Sequence, residues 1–230
     1  MTILKIDSSI NGENSASRAI TDSIVEQLKA VNWGETVVSR DLFANPLPHL
    51  TLDAFADSSV LEEFQAADVV VIGAPMYNFT LPSQLKAWID RIVIAGKTFH
   101  YTANGPEGLA KGKRVIIALA RGGFYGDGAP AAPLEHLESY LRGVFNFIGI
   151  EPEFVLAEGL SVSAEQRDAS LSQAHKDVVL LAACLLTSRR AAFPRARPET
   201  TTSLGDSSCP ILLWPRLKGS ALVRPMLPAQ

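Results

Sequence analysis

Three clusters of residues have the types and spacing to hold a flat, phosphorylated ligand. The first runs from Asp7 to Ser17 and sets the hydroxyls of Ser9, Ser15 and Ser17, with Ala16 between the last two, just ahead of a run with helical spacing. Hydroxyl donors would there meet the unpaired N–H groups and partial positive charge of a helix N-terminus. Such neutral donors suit an anion, and a phosphomonoester in particular. The same serines would also serve as plain helix caps. The second cluster, Pro75-Met76-Tyr77-Asn78-Phe79, directly follows the apolar run Asp68 to Ala74. An apolar run without alternation reads as a strand buried on both faces, and ligands of open parallel sheets sit beyond the carboxyl ends of such strands. The alternative is that Met76, Tyr77 and Phe79 are core filler after a turn set by Pro75. The third cluster is Ala120-Arg121-Gly122-Gly123, continuing to Gly128. Its glycines let backbone approach a flat ligand closely, and consecutive N–H groups can bond the edge of a heterocycle, although Gly122-Gly123 would equally make a simple turn.

Competing chemistries are tested by spacing. The chain has no G-x-x-x-x-G-K-[ST] phosphate loop and no G-x-G-x-x-G after its first strand, so the ligand is smaller than a dinucleotide held in the usual way. His49, His100, His136 and His175 are scattered without metal-ligand spacing, and no metal site is expected. A serine hydrolase using Ser8 or Ser9 would need a late Asp-x-x-His, where Ser172-Gln173-Ala174-His175 stands. No catalytic side chain stands out, and Cys184 and Cys209 both lie near the end of the chain, so redox chemistry would have to come from a cofactor.

The elements that must position these clusters alternate. Strands are expected at 3–7, 36–42, 68–74, 113–119 and 153–157. Helices are expected from Ala19 to Leu28, Val60 to Ala67, Pro82 to Gly96, Leu134 to Ile148 and Ser163 to Ala183. Five strands alternating with helices make an α/β protein: a doubly wound, five-stranded parallel sheet with helices on both faces, for which 2-1-3-4-5 is the natural order.

Composition sets the boundaries. With 230 residues and 47% apolar content the chain can bury a full core, and no run of about 18 uncharged apolar residues is present to cross a membrane. The passage from Met1 straight into a strand without a leader gives the expectation of a cytoplasmic protein. The net charge of −3 hides a division: residues 1–183 carry a net −8, residues 184–230 a net +5. An acidic body is a poor partner for nucleic acid. The tail also holds six of the 14 prolines, so the chain is expected to comprise one domain at 1–183 and a basic, proline-rich, mostly disordered tail at 184–230.

The combination of Ser9, Ser15 and Ser17 with Pro75 to Phe79, Pro82-Ser83, Leu85-Lys86, Trp88-Ile89-Asp90, Gly96, Thr98-Phe99, Tyr101, Gly105-Pro106, Gly108-Leu109 and Arg121-Gly122-Gly123 resembles the bacterial FMN-dependent NADH-azoreductases, also described as FMN-dependent NADH:quinone oxidoreductases. The resemblance covers about residues 2–183. It implies a flavodoxin-like fold, a homodimer with one FMN per subunit, and transfer of two electrons per turn from NADH or NADPH to quinones or aromatic azo compounds by a ping-pong mechanism, two such turns cleaving the azo bond to amines. It also implies that Ser9, Ser15, Ala16 and Ser17 hold the FMN phosphate. Met76, Tyr77, Asn78 and Phe79 would line the isoalloxazine, with backbone and Asn78 amide groups near N5 and the pyrimidine edge, and Ala120, Arg121, Gly122 and Gly123 would close the other side. Two features depart from the family. Ala120 stands where it usually has serine, a loss of about 1 kcal/mol if that hydroxyl bonded the flavin, and the connection at 43–67 is short. A flavodoxin-type electron shuttle, which would not itself oxidise NADH, is the alternative.

Overall fold

Val69–Pro75 (β3) is buried along its whole length because it runs down the middle of a five-stranded parallel sheet. The computed structural model describes residues 1–31 and 36–192. The other strands of this sheet are Thr2–Asp7 (β1), Thr36–Asp41 (β2), Arg114–Ala120 (β6) and Glu153–Ala157 (β7). Their order is β2-β1-β3-β6-β7, the expected 2-1-3-4-5 when only strands of this sheet are counted. A separate antiparallel pair, Phe99–Thr102 (β4) and Gly105–Gly108 (β5), lies between the third and fourth sheet strands in sequence.

Because side chains alternate across a strand, the strands inside the sheet feed both faces. Val70 and Ile72 join Phe64 of α2 (Ser59–Ala66), Leu85, Trp88 and Ile92 of α3 (Ser83–Ile92), and Leu141 and Phe145 of α4 (Glu138–Phe147). Val69 and Val71 join Ile20, Ile24 and Leu28 of α1 (Ala16–Ala30) and Ala174 and Val178 of α5 (Ala164–Ala192) on the opposite face. Trp88 is fully buried and meets Phe64 edge to face at 6.0 Å. Truncating either ring to alanine would cost about 3–5 kcal/mol. Register brings the carboxyl ends together: Asp7 pairs with Gly73, Pro75 with Ala120, and Ala120 with Ala157.

Four details differ from expectation, each with a local cause. Helix α3 ends at Ile92 rather than Gly96, because the Thr98 hydroxyl donates to the Ile92 carbonyl at 2.7 Å and accepts from the Ile94 N–H at 3.0 Å. Helix α4 begins at Glu138 rather than Leu134, since the Glu135 carboxylate accepts the N–H groups of Leu137, Glu138 and Ser139 and so caps it from outside. The β4–β5 hairpin was not expected: its strands are four residues each, with Pro106 inside the second. Helix α5 continues past Ala183 to Ala192, as 184–192 contains neither proline nor glycine to stop it. The remainder of the expected tail, 193–230, lies outside the described residues.

Candidate functional site

The loop after β1 is built on a buried charge network. Asp7 accepts from the Thr21 hydroxyl at 2.9 Å and lies 3.1 Å from Lys5 Nζ and 3.6 Å from Arg18 Nη1. Arg18 also donates to the Ser9 carbonyl at 3.2 Å and to Asp41 at 2.8 Å, so one guanidinium ties the loop to the end of β2. That bond holds the Asp41 carboxyl below the usual range. Above this network stand the expected donors. Ser15 is the N-cap of α1, its Oγ accepting from Arg18 N–H at 3.3 Å, and it lies 3.1 Å from Ser17 Oγ. The capping role considered from sequence is therefore real, and it leaves the N–H groups of Ala16 and Ser17, the first two of the helix, without intrahelical acceptors. Ser9 Oγ accepts from Asn11 N–H at 3.3 Å and lies 3.3 Å from Tyr77 Oη.

The loop after β3 is a tight reversal. Met76 N–H donates to the Ala120 carbonyl at 2.8 Å, after which Tyr77 and Thr80 exchange N–H···O bonds of 2.9 and 3.1 Å. The two residues between them, Asn78 at φ 47° and Phe79 at φ 73°, both occupy the left-handed region, as a type I′ turn requires. Asparagine tolerates that region, but phenylalanine pays about 1–2 kcal/mol to be there. Despite this Phe79 is 42% exposed, so burial within the chain does not account for its conformation. Strain of this kind gathers where a ligand or partner is received. The Phe79 carbonyl accepts from His136 N–H at 3.0 Å, and its ring meets Tyr125 edge to face at 6.3 Å. Tyr77 Oη accepts from Ile10 N–H at 3.1 Å. The turn is thus joined to both of the other expected loops.

The loop after β6 is held from behind. Arg121 N–H donates to the Ala157 carbonyl, and the carbonyls of Arg121, Gly122 and Gly123 accept from Leu160, Ser161 and Gly159 at 2.9–3.1 Å. Ala120 is buried at the end of its strand. The Arg121 side chain is almost wholly buried, with its guanidinium 2.8 Å from Glu158, 2.9 Å from Glu138 and 3.2 Å from Glu135. Any contact of Arg121 with a ligand would therefore have to be made through backbone. Burial pushes the Glu135 carboxyl up, but the three backbone donors of the α4 terminus and Arg121 outweigh that and hold it below its ordinary value.

The structure adds a fourth loop, 158–163, that sequence reading left out. Glu158 takes the Tyr125 N–H at 3.1 Å as well as Arg121. Gly159, at φ 70°, lies under Phe124, whose ring would be 2.6 Å from a Cβ placed there. Its signal was available: Glu158-Gly159 follows an apolar strand, as the other loops do. A cavity of about 560 Å³ opens beside the first loop between Asn14, Ser15, Ala16 and Arg167. Another of about 360 Å³ lies near Asp68 and Lys113, at the amino ends of β3 and β6, and shares none of the loop residues. Among the described residues no three His, Cys, Asp or Glu side chains are grouped to hold a metal ion.

A family model described as having a flavodoxin-like fold matches residues 1–180. The chain is 53% identical over 192 residues to FMN-dependent NADH:quinone oxidoreductase 2 of Bradyrhizobium diazoefficiens, covering 76% of this chain and 95% of that one. It is 50% identical over 197 residues to an FMN-dependent NADH:quinone oxidoreductase of Rhizobium meliloti, covering 77% and 95%. Among solved structures, an azoreductase, AzrA, superposes with a TM-score of 0.73 at 28% identity over 79% of this chain and 99% of that one. An FMN-dependent NADH-azoreductase from Bacillus anthracis in complex with FMN gives 0.71 at 27% identity, covering 81% and 100%.

Proposed function

The chain belongs to the flavodoxin-like family of FMN-dependent NADH:quinone oxidoreductases, and on that premise we propose that it binds FMN and transfers two electrons from NADH to quinones and to aromatic azo compounds. The observation that carries this reading is the meeting of three loops, at the carboxyl ends of β1, β3 and β6, through Tyr77 Oη on Ile10 N–H and through the Phe79–Tyr125 ring contact.

The donor set fits the cofactor. The hydroxyls of Ser9, Ser15 and Ser17 and the N–H groups of Ala16 and Ser17 would hold the phosphate without a lysine, the helix N-terminus supplying partial positive charge. Met76, Tyr77, Asn78 and Phe79 would line the ring. Ala120, Arg121, Gly122 and Gly123 would approach it through backbone, and the bonds from 159–161 to the carbonyls of 121–123 would fix how their N–H groups are presented. Bound FMN supplies the two-electron chemistry that no side chain here provides. The chain's own task is to orient that group, to leave one face open to donor and acceptor in turn, and to exclude water with Phe79, Phe124 and Tyr125. A homodimer with one FMN per subunit agrees with the 42% and 46% exposure of Phe79 and Phe124. Among the described residues no helix is long and apolar enough to cross a membrane.

The test is steady-state oxidation of NADH by the purified chain. Turnover should require both added FMN and a benzoquinone and should extend to an aromatic azo dye. NADH oxidation equal with and without the quinone, or a chain that takes up no FMN, would overturn the reading. An electron shuttle would bind FMN and leave NADH untouched.

A further inference from the structure

We propose that Arg121 is a positioning residue, whose buried guanidinium holds the strained Asn78–Phe79 turn in its ligand-receiving shape through two separate chains of contacts. The proposal rests on the reading of the site as an FMN site. The first chain runs through Glu158: Arg121 Nη1 lies 2.8 Å from Oε1, and that same oxygen takes the Tyr125 N–H at 3.1 Å. Tyr125 in turn sets its ring edge-on to Phe79. The second chain runs through Glu135, whose Oε1 takes Arg121 Nη2 at 3.2 Å together with the Leu137 and Glu138 N–H groups at 2.8 and 2.7 Å. Between those bonded residues lies His136, whose N–H donates to the Phe79 carbonyl at 3.0 Å and whose carbonyl takes the Thr80 hydroxyl at 3.3 Å. Both chains end on Phe79, the residue with the unfavourable backbone, and a phenylalanine at φ 73° persists only where its surroundings over-determine it.

The charge balance makes the guanidinium hard to replace. Glu135, Glu138 and Glu158 converge on it, and among the described residues only Glu138 of the three has a second cation, Arg142 at 2.9 Å. Without a fork that reaches all three, the carboxylates would repel one another, and the α4 terminus and the 158–163 loop would part. Lysine keeps the charge but offers a single point from which to bond, so Arg121→Lys is not a conservative change here. None of this requires the guanidinium to touch the flavin.

The experiment is a double-mutant cycle read as FMN dissociation constants from fluorescence titration of the wild type, Arg121→Lys, Phe79→Gly and the double variant. Glycine adopts the turn without strain, so it no longer needs holding. Arg121→Lys should weaken FMN binding about tenfold when residue 79 is phenylalanine and less than about threefold when it is glycine. Equal weakening in both backgrounds would overturn the proposal, since a merely structural arginine acts regardless of residue 79. Should Arg121→Lys fail to fold, Glu158→Ala removes one of the two chains and lowers the carboxylate crowding. The same cycle with Phe79→Gly should then be non-additive in the same direction, and additivity overturns the proposal. A wild type that binds no FMN would instead overturn the site reading and the proposal together.

Discussion

Ser15 offers a direct way to separate a helix cap from a phosphate ligand, because it does the first visibly and is assigned the second. Its Oγ accepts the Arg18 N–H at 3.3 Å, a long bond, so Ser15→Ala should remove only about 0.5–1 kcal/mol of stability from the FMN-free protein. A hydrogen bond to a charged group is worth about 1.5–3 kcal/mol, so losing one to the FMN phosphate should raise the FMN dissociation constant roughly 10- to 150-fold. Riboflavin carries the same ring without the phosphate. Its affinity for the same variant should change less than about twofold, as only the phosphate contact has been removed. Ser15→Asp sharpens the contrast: aspartate caps as well as serine and suits the helix dipole, so stability should stay within about 1 kcal/mol of the wild type while FMN binding falls below that of the alanine variant. The assay is fluorescence titration with both flavins, alongside urea melts of the flavin-free proteins. If FMN and riboflavin weaken by the same factor, or neither weakens, Ser15 is a cap alone and the anion site is misplaced.

Other perturbations reach different parts of the structure. The folded-state Asp41 carboxyl lies below its ordinary value because of Arg18, so its pairing contributes stability that is full above about pH 4 and is lost as pH falls through the lowered value. Wild type should therefore lead Asp41→Asn in urea melts at pH 7, and the lead should shrink progressively as the pH is lowered below about 4; a constant lead would contradict this. Gly159→Ala should cost about 1–2 kcal/mol for its backbone alone and displace Phe124, seen as a lower melting temperature with a raised KM for the quinone. Arg91 is buried and donates to the carbonyls of Ala87 and Pro48 at 2.8 Å. Arg91→Met should strand the Pro48 carbonyl, cost about 1–3 kcal/mol and open residues 45–50 to proteolysis, without changing FMN affinity; unchanged cleavage there would refute it.

How much of this the sequence carried depended on distance along the chain. The central strand was legible because burial on both faces writes an unbroken apolar run, and the site loops followed from where such strands end. Ser15 was legible as a cap, and the same local geometry is what offers it as a donor to an anion. The α4 start was not, because its cap is a glutamate three residues upstream rather than a hydroxyl at the first turn. The role of Arg121 was hidden for a similar reason: it was expected as a flavin neighbour, but its partners at 135, 138 and 158 are placed only by the packing of α4 and β7. The bond from Ile10 to Tyr77 spans 67 residues and has no sequence signature at all. Nor does a positive φ at Phe79, since local preference argues against it.

The central claim is that this chain presents FMN first to NADH and then to an acceptor at the same face. Its most direct test is an anaerobic half-reaction on the FMN-loaded protein. One equivalent of NADH should bleach the visible flavin absorption with no quinone present, and one equivalent of benzoquinone added afterwards should restore it. Absorption that NADH leaves unchanged until quinone is added, or bleaching that quinone cannot reverse, would contradict the account.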